Sequence, residues 1–117
     1  MTTEEFEKLV DSALAGLPQD FKSKLDNVQI VVEIWPKEEF AKGGLLLGLY
    51  QGVPKTTWGR GQATWLGDKI TIFQGPIEWL GRGDEDKIKQ LVVDTVEHEI
   101  AHHFGISDAR LIELKKY

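Results

Sequence analysis

One long amphipathic segment near the carboxyl end of the chain constrains the fold more than any other feature. A turn signal at residues 81–83 precedes it, Asp84 is a suitable N-cap, and Gly105 is a natural stop. Between these limits, apolar or threonine side chains recur at helical spacing: Ile88, Leu91, Val92, Thr95, Val96, Ile100 and Phe104. The pattern predicts one long helix whose apolar face needs a core to cover it.

The remaining segments predict a mixture of helices and strands around that helix. Apolar periodicity predicts helices at residues 3–17, 19–25 and 107–115, a buried strand at 28–35, and further strands at 45–50 and 69–74. Gly75 and Pro76 are read as the turn that closes the last strand. A chain of 117 residues, 41% of them apolar, is the size of one domain. We therefore predict a single domain, 1–117, of the α+β class, with a sheet of three to four strands packed against the long helix.

Composition excludes several classes of protein. The chain has no cysteine, which rules out disulfides and thiolate metal sites, so any metal must be held by His, Asp or Glu. A net charge of -5 with scattered basic residues argues against nucleic acid as the main partner. No segment approaches 18 apolar residues, and the amino terminus lacks the features of a signal peptide. The expectation is a cytoplasmic protein without a membrane partner.

The long helix contains the motif His98-Glu99-Ile100-Ala101-His102, which matches HExxH. Four helical residues advance about 400°, so both imidazoles leave one face and can converge on one ion. Zinc lowers the pKa of a bound water towards about 7, and the neighbouring Glu99 carboxylate can accept its proton and later protonate the leaving amine. The competing interpretation is a solvated helix with two incidental histidines.

The position of Glu99 on the helical wheel argues against that alternative. At about 100° per residue from Ile88, the apolar arc runs from roughly 300° to 80°, with Glu99 near 20° and His102 near 320°. Glu99 is therefore predicted to point inward. A carboxylate in a buried stripe costs several kcal/mol unless something compensates, and a metal with its water does so.

The residues after the second histidine extend the motif to HExxHxxGxxD. Gly105 can adopt the positive φ that turns the chain back beneath the ion, and Asp108 then becomes a third ligand. Two histidines and one carboxylate leave the fourth zinc position open for water, as a catalytic site requires. Alternatively, Asp108 or Ser107 only caps the last helix. Asp94, one turn before His98, is a candidate acceptor that orients the imidazole, or else an ordinary exposed acid.

Residues 95–111, TVEHEIAHHFGISDARL, and residues 68–78, DKITIFQGPIE, resemble the small bacterial zincin-like metallopeptidases, sometimes called minimal zincins. The resemblance covers the chain from about residue 30 onward. It implies a compact α+β zincin core in which His98, His102 and Asp108 bind zinc and Glu99 is the general base. Metzincins have similar spacing, but Asp108 stands where they have a third histidine, and Met1 is the only methionine, so a Met-turn is absent.

These observations favour a zinc-dependent hydrolase with one zinc per chain that cleaves peptide or amide bonds. In zincins an edge strand can bind an extended peptide, and residues 69–74 are the candidate strand here, unless they form an ordinary core strand. Trp58, Trp65 and Trp79 either line the substrate groove or fill the core. Two alternatives stay open: a zinc-containing module that binds a peptide or protein without turnover, and metal-assisted hydrolysis of another substrate such as RNA.

Overall fold

The computed structural model describes residues 1–26, 28–52 and 68–104, with the backbone alone at residues 103 and 104. These residues contain five helices and three strands. In chain order these elements are α1 (Thr3–Ala15), α2 (Gln19–Lys24), β1 (Val28–Glu33), α3 (Glu38–Ala41), β2 (Gly48–Gln51), β3 (Asp68–Phe73), α4 (Gln74–Gly81) and α5 (Glu85–Phe104). The predicted α+β class is confirmed. The predicted helix at 107–115 lies outside the described residues.

The three strands form one mixed sheet in the order β1-β3-β2. Strand β3 runs parallel to β1, with Val28 opposite Asp68, and antiparallel to β2, with Gly48 opposite Ile72. The prediction that residues 69–74 form an edge strand is therefore wrong, and the alternative, an ordinary core strand, is confirmed. The continuous burial of the middle of β3, where Ile70 and Ile72 have no exposed surface, is typical of a strand with neighbours on both sides.

Strand β1 forms where the sequence predicts a strand but is less buried than expected. It ends at Glu33 instead of residue 35, and its residues are half-buried or exposed. Ile34 and Trp35, which the prediction included, are 48% and 58% exposed. In the described part of the chain β1 pairs with β3 alone, so it occupies one edge of the sheet and lacks the cover of a central strand.

Two other boundaries differ from the prediction. Strand β2 begins at Gly48 instead of residue 45. Helix α4 begins at Gln74, directly after β3, where Gly75 and Pro76 were interpreted as a turn. A proline is also well suited to the first turn of a helix, because its missing N–H would have no partner within the helix there. The Gly75 N–H donates to the Ile34 carbonyl at 2.8 Å, which ties the start of α4 to the end of β1.

The core lies between the sheet and the helices, with α5 in contact with α1, α2, α4, β2 and β3. Its buried side chains are Phe6, Val10, Ala13, Leu17, Phe21, Ile70, Ile72, Ile77, Ile88, Val92, Val96, Ile100 and Ala101. Helix α5 is therefore packed from several directions and its position is fixed by the whole core. None of the helices in residues 1–26, 28–52 and 68–104 is long and apolar enough to cross a membrane.

Asp84 is expected to stabilise the start of α5. Its Oδ1 accepts hydrogen bonds from the backbone N–H groups of Asp86 at 3.0 Å and Lys87 at 3.3 Å. The Asp84→Ala variant should lower the free energy of unfolding by about 1 kcal/mol, while Asp84→Asn, which keeps a capping oxygen, should lower it by a few tenths. Urea denaturation measures both. Equal losses in the two variants would contradict the capping role.

Candidate metal centre

Helix α5 presents two adjacent faces, one to the core and one to an open cleft. The core face is a stripe of four side chains, each at most 2% exposed: Ile88, Val92, Val96 and Ile100. The cleft face carries Leu91, Asp94, Thr95, His98, Glu99 and His102. The apolar arc predicted from the helical wheel thus consists of two parts: the core face, and the cleft face, which forms the floor of the cleft. Leu91 and the Thr95 methyl make that floor partly apolar, which is why the sequence pattern merges it with the core.

The His98 imidazole is oriented by the backbone one turn earlier in α5. Its Nδ1 lies 2.9 Å from the Asp94 carbonyl oxygen. A carbonyl only accepts hydrogen bonds, so Nδ1–H donates and Nε2 keeps its lone pair for a metal. Asp94 was predicted to orient an imidazole, and it does so with its carbonyl, while its carboxylate accepts a hydrogen bond from Gln90 Nε2 at 2.9 Å.

The His98 and His102 rings lie on the same side of α5, with ring centroids 6.4 Å apart and planes inclined by 46°. Two imidazoles on one tetrahedral zinc, with Zn–N bonds of about 2.1 Å, have centroids about 5 Å apart. The observed centroids, at 6.4 Å, are therefore about 1.4 Å further apart than in that arrangement. Both side chains are exposed towards the cleft, so the surrounding packing leaves room for the χ rotations that would bring the rings closer. The pair therefore fits a shared divalent ion.

Glu99 lies between the two histidines in sequence and is half-buried beside them in the cleft. Burial raises the pKa of the Glu99 carboxyl above its usual value, and the nearby charges of His102 and then His98 lower it by less. Glu99 thus points inward as predicted, although it lies at the border of the core and not in the middle of a buried stripe. A carboxyl whose pKa is raised towards neutrality is suited to accept and return a proton.

The opposite wall of the cleft is the start of β2. Leu47 and Gly48 face α5 there and close a cleft of about 380 Å³. The Thr95 hydroxyl donates to the Leu91 carbonyl at 2.7 Å, which satisfies the one polar atom of the Thr95 side chain within the helix. The cleft thus combines an apolar floor and wall with a polar end formed by His98, Glu99 and His102.

Three of the four predicted site residues, His98, Glu99 and His102, come together in this cleft. The fourth, Asp108, lies outside the described residues, as do Trp58 and Trp65. Within the described ranges, no group of three or more His, Cys, Asp or Glu side chains is close enough to hold a metal. Trp79 is 62% exposed and does not line the cleft, so it fills neither the core nor this groove.

Sequence reasoning missed the residues that shape the cleft wall. Leu47 and Gly48 precede α5 by a long stretch of sequence, and only the pairing of β2 with β3 brings them opposite Glu99. The one available signal was the glycine inside a predicted strand, which often marks a close backbone approach. The Tyr50 hydroxyl of β2 donates to Asp68 Oδ2 at 2.7 Å, and burial, followed by that bond, raises the pKa of the phenol.

Comparison with known families decides the class of the protein. The family model described as zincin-like metallopeptidase matches residues 25–117, which includes the sheet, α4, α5 and the HExxH motif. The chain belongs to the zincin-like metallopeptidase family. A comparison with curated proteins finds no match. Membership assigns the chain to a class of zinc-dependent hydrolases, and the α+β fold with a three-stranded sheet agrees with that assignment.

The half-buried carboxyl of Glu99 should make the metal-free protein less stable as pH rises. The folded chain holds this proton at a higher pH than the unfolded chain, whose reference pKa is 4.5. The resulting stabilisation is therefore complete below about pH 4.5 and is lost as the pH rises through the folded pKa. Urea denaturation in EDTA should show Glu99→Gln gaining stability relative to wild type between about pH 4 and pH 7. A constant or falling difference would contradict the burial of this carboxylate.

Proposed function

We propose that this zincin-like metallopeptidase hydrolyses peptide bonds, with Glu99 as general base beside one zinc held by His98, His102 and Asp108. The observation that carries the proposal is the half-buried Glu99 carboxyl, flanked by two cleft-facing imidazoles on one turn of α5. Its desolvation is unfavourable in the metal-free chain. A divalent cation beside it would offset that cost, so the arrangement is better suited to binding metal than to stabilising the fold.

The donor set supports zinc. Imidazole nitrogen is a preferred zinc ligand, and the cysteine-free chain offers no thiolate. The hydrogen bond from His98 Nδ1 to the Asp94 carbonyl fixes the tautomer that ligation through Nε2 needs. Asp108 enters the proposal through the HExxHxxGxxD spacing, six residues after His102 with Gly105 between them. When bound, zinc supplies a Lewis acid that polarises the substrate carbonyl and acidifies water.

Glu99 is proposed to move the proton during hydrolysis. Its carboxylate accepts a proton from the attacking water as the oxygen forms a bond to the carbonyl carbon. It then donates this proton to the amine nitrogen as the C–N bond breaks, so the carboxylate is regenerated in each cycle. The raised pKa of Glu99 favours the first transfer, because a carboxylate with a higher pKa is a stronger base and holds the proton until the amine leaves.

A peptide is favoured as substrate because a strand edge borders the cleft. Strand β2 pairs with β3 on one side, and its other side has no ladder partner in the described part of the chain. Its first residue, Gly48, lines the cleft opposite Glu99. An extended peptide could add to this edge through backbone hydrogen bonds and pass over the reactive groups. The role first expected of residues 69–74 is thus proposed for β2.

We also propose that residues 1–117 form one domain. The family match begins at residue 25, yet Phe6, Val10 and Ala13 of α1 belong to the same buried cluster as Val92 and Val96 of α5. Two helices that share one hydrophobic core are expected to fold together, so α1 is expected to fold with α5. The amino-terminal segment is therefore treated as part of the peptidase domain.

Replacing Glu99 with glutamine tests the proposed function. The variant should keep about one zinc per chain, because the ligands are unchanged, and should lose at least about 100-fold in turnover, because an amide cannot accept the proton. Zinc content is measured by mass spectrometry of the purified protein, and turnover by digestion of a peptide library. The matched control is Glu39→Gln on the exposed helix α3, which should behave like wild type.

Two outcomes would count against the proposal. A wild-type protein with intact ligands that takes up no divalent metal would overturn the metal centre. A zinc-loaded wild-type protein that cleaves no peptide in the library, yet captures peptides with the same affinity as the Glu99→Gln variant, would instead favour a binding module without turnover.

A further inference from the structure

Gly48 of β2 lies against the helix that carries the reactive groups, with no space for a side chain between them. A Cβ atom built on Gly48 would lie 2.5 Å from Thr95 Cγ2, 3.2 Å from the Thr71 carbonyl oxygen and 3.8 Å from Glu99 Cγ. The first distance is shorter than real Cβ contacts allow, the second is tight, and the third is ordinary contact. The strand backbone thus lies directly on Thr95 with no room for a side chain.

The need for glycine at position 48 is spatial and not conformational. Gly48 lies in a β-strand, and its φ is outside the left-handed region, so alanine could adopt the same backbone. Thr95 has little freedom to yield, because it is 8% exposed and its hydroxyl is bonded to the Leu91 carbonyl at 2.7 Å. That bond fixes χ1 and directs the methyl group towards the strand. An added methyl at position 48 must therefore displace β2 or α5.

We infer that Gly48 is a positioning residue: its contact with Thr95 sets the separation between the β2 edge and Glu99, and hence how a bound peptide meets the reactive groups. This inference rests on the proposed peptidase function. Thr95 precedes Glu99 by one helical turn, and both face Gly48. On its other side the strand is held by the Phe73 N–H, which donates to the Leu47 carbonyl at 2.9 Å.

The geometry separates metal binding from peptide positioning. His98 and His102 both belong to α5, so a shift of β2 does not change their spacing. The same shift moves the strand edge relative to Glu99. A ligand that contacts the metal and also pairs with the strand edge needs both contacts in the right relative position, so its affinity falls when that position changes. Substitution at Gly48 should therefore weaken the binding of peptide-length ligands while leaving the affinity for the metal and for very small metal ligands unchanged.

The test compares two probes on zinc-loaded protein: acetohydroxamate, which contacts little beyond the metal, and a leucine-containing dipeptide hydroxamate, which extends along β2. Gly48→Ala should lower the affinity for the dipeptide hydroxamate by about tenfold or more. The affinities for zinc and acetohydroxamate should stay within about twofold of wild type. Thr95→Ser removes Cγ2 but keeps the hydroxyl, so the double variant G48A/T95S should recover to within about threefold of T95S. Gly44→Ala, whose Cβ would meet only the Ala41 carbonyl oxygen at 3.5 Å, is the matched control.

If Gly48 had a purely structural role, its substitution would lower the affinities for both probes and for zinc together. That result would overturn the inference. So would wild-type affinity in Gly48→Ala, a double variant that does not recover, or a wild-type protein that binds acetohydroxamate but not the dipeptide. Urea unfolding in EDTA of wild type, G48A, T95S and G48A/T95S tests the contact separately. Thr95→Ser should cancel most of the destabilisation caused by Gly48→Ala. Absence of that coupling overturns the inference even where zinc binding is intact, whereas absence of zinc from the wild type overturns the proposed function.

Discussion

The packing of α5 against the sheet holds together both the fold and the candidate metal centre. Four side chains of one stripe, Ile88, Val92, Val96 and Ile100, are buried against a core that includes Ile70 and Ile72 of β3. Each such side chain contributes about 1.5–3 kcal/mol when fully buried. Their sum exceeds the several kcal/mol that an uncompensated carboxylate can cost at the border of the core. Helix α5 therefore stays packed against the sheet although it holds Glu99 half-buried at the edge of the cleft.

This arrangement divides the proposed work between two elements. Helix α5 carries His98, Glu99 and His102, so the spacing of the reactive groups is a local property of a single helix. Strand β2 forms the facing wall, and its backbone edge is the proposed binding site for a substrate. The contact of Gly48 with Thr95 joins the two. The proposed peptidase cleft is in this way built from one helix and one short strand.

Local signals in the sequence were sufficient to predict the features that depend on nearby residues. Asp84 caps α5 as predicted, and the HExxH spacing places His98, Glu99 and His102 along one cleft. Features that depend on distant residues could not be read in the same way. The central position of β3 follows from its pairing with two strands that are far away in sequence. Gly75 and Pro76 are compatible both with a loop and with the start of α4, so these residues alone do not decide between the two. The importance of Gly48 becomes visible only with Thr95 opposite it.

The proposed metal centre is one zinc held by two imidazoles from α5 and a carboxylate, with one position left for a small molecule. X-ray absorption at the zinc K edge, on protein carrying one equivalent of zinc, tests this most directly. The spectrum should show four ligands, two of them imidazole nitrogens at about 2.0–2.1 Å and two oxygens at about 2.0–2.2 Å, and Asp108→Ala should alter the oxygen shell only. A shell of oxygens without imidazole scattering, or one that His102→Ala leaves unchanged, would contradict the central claim.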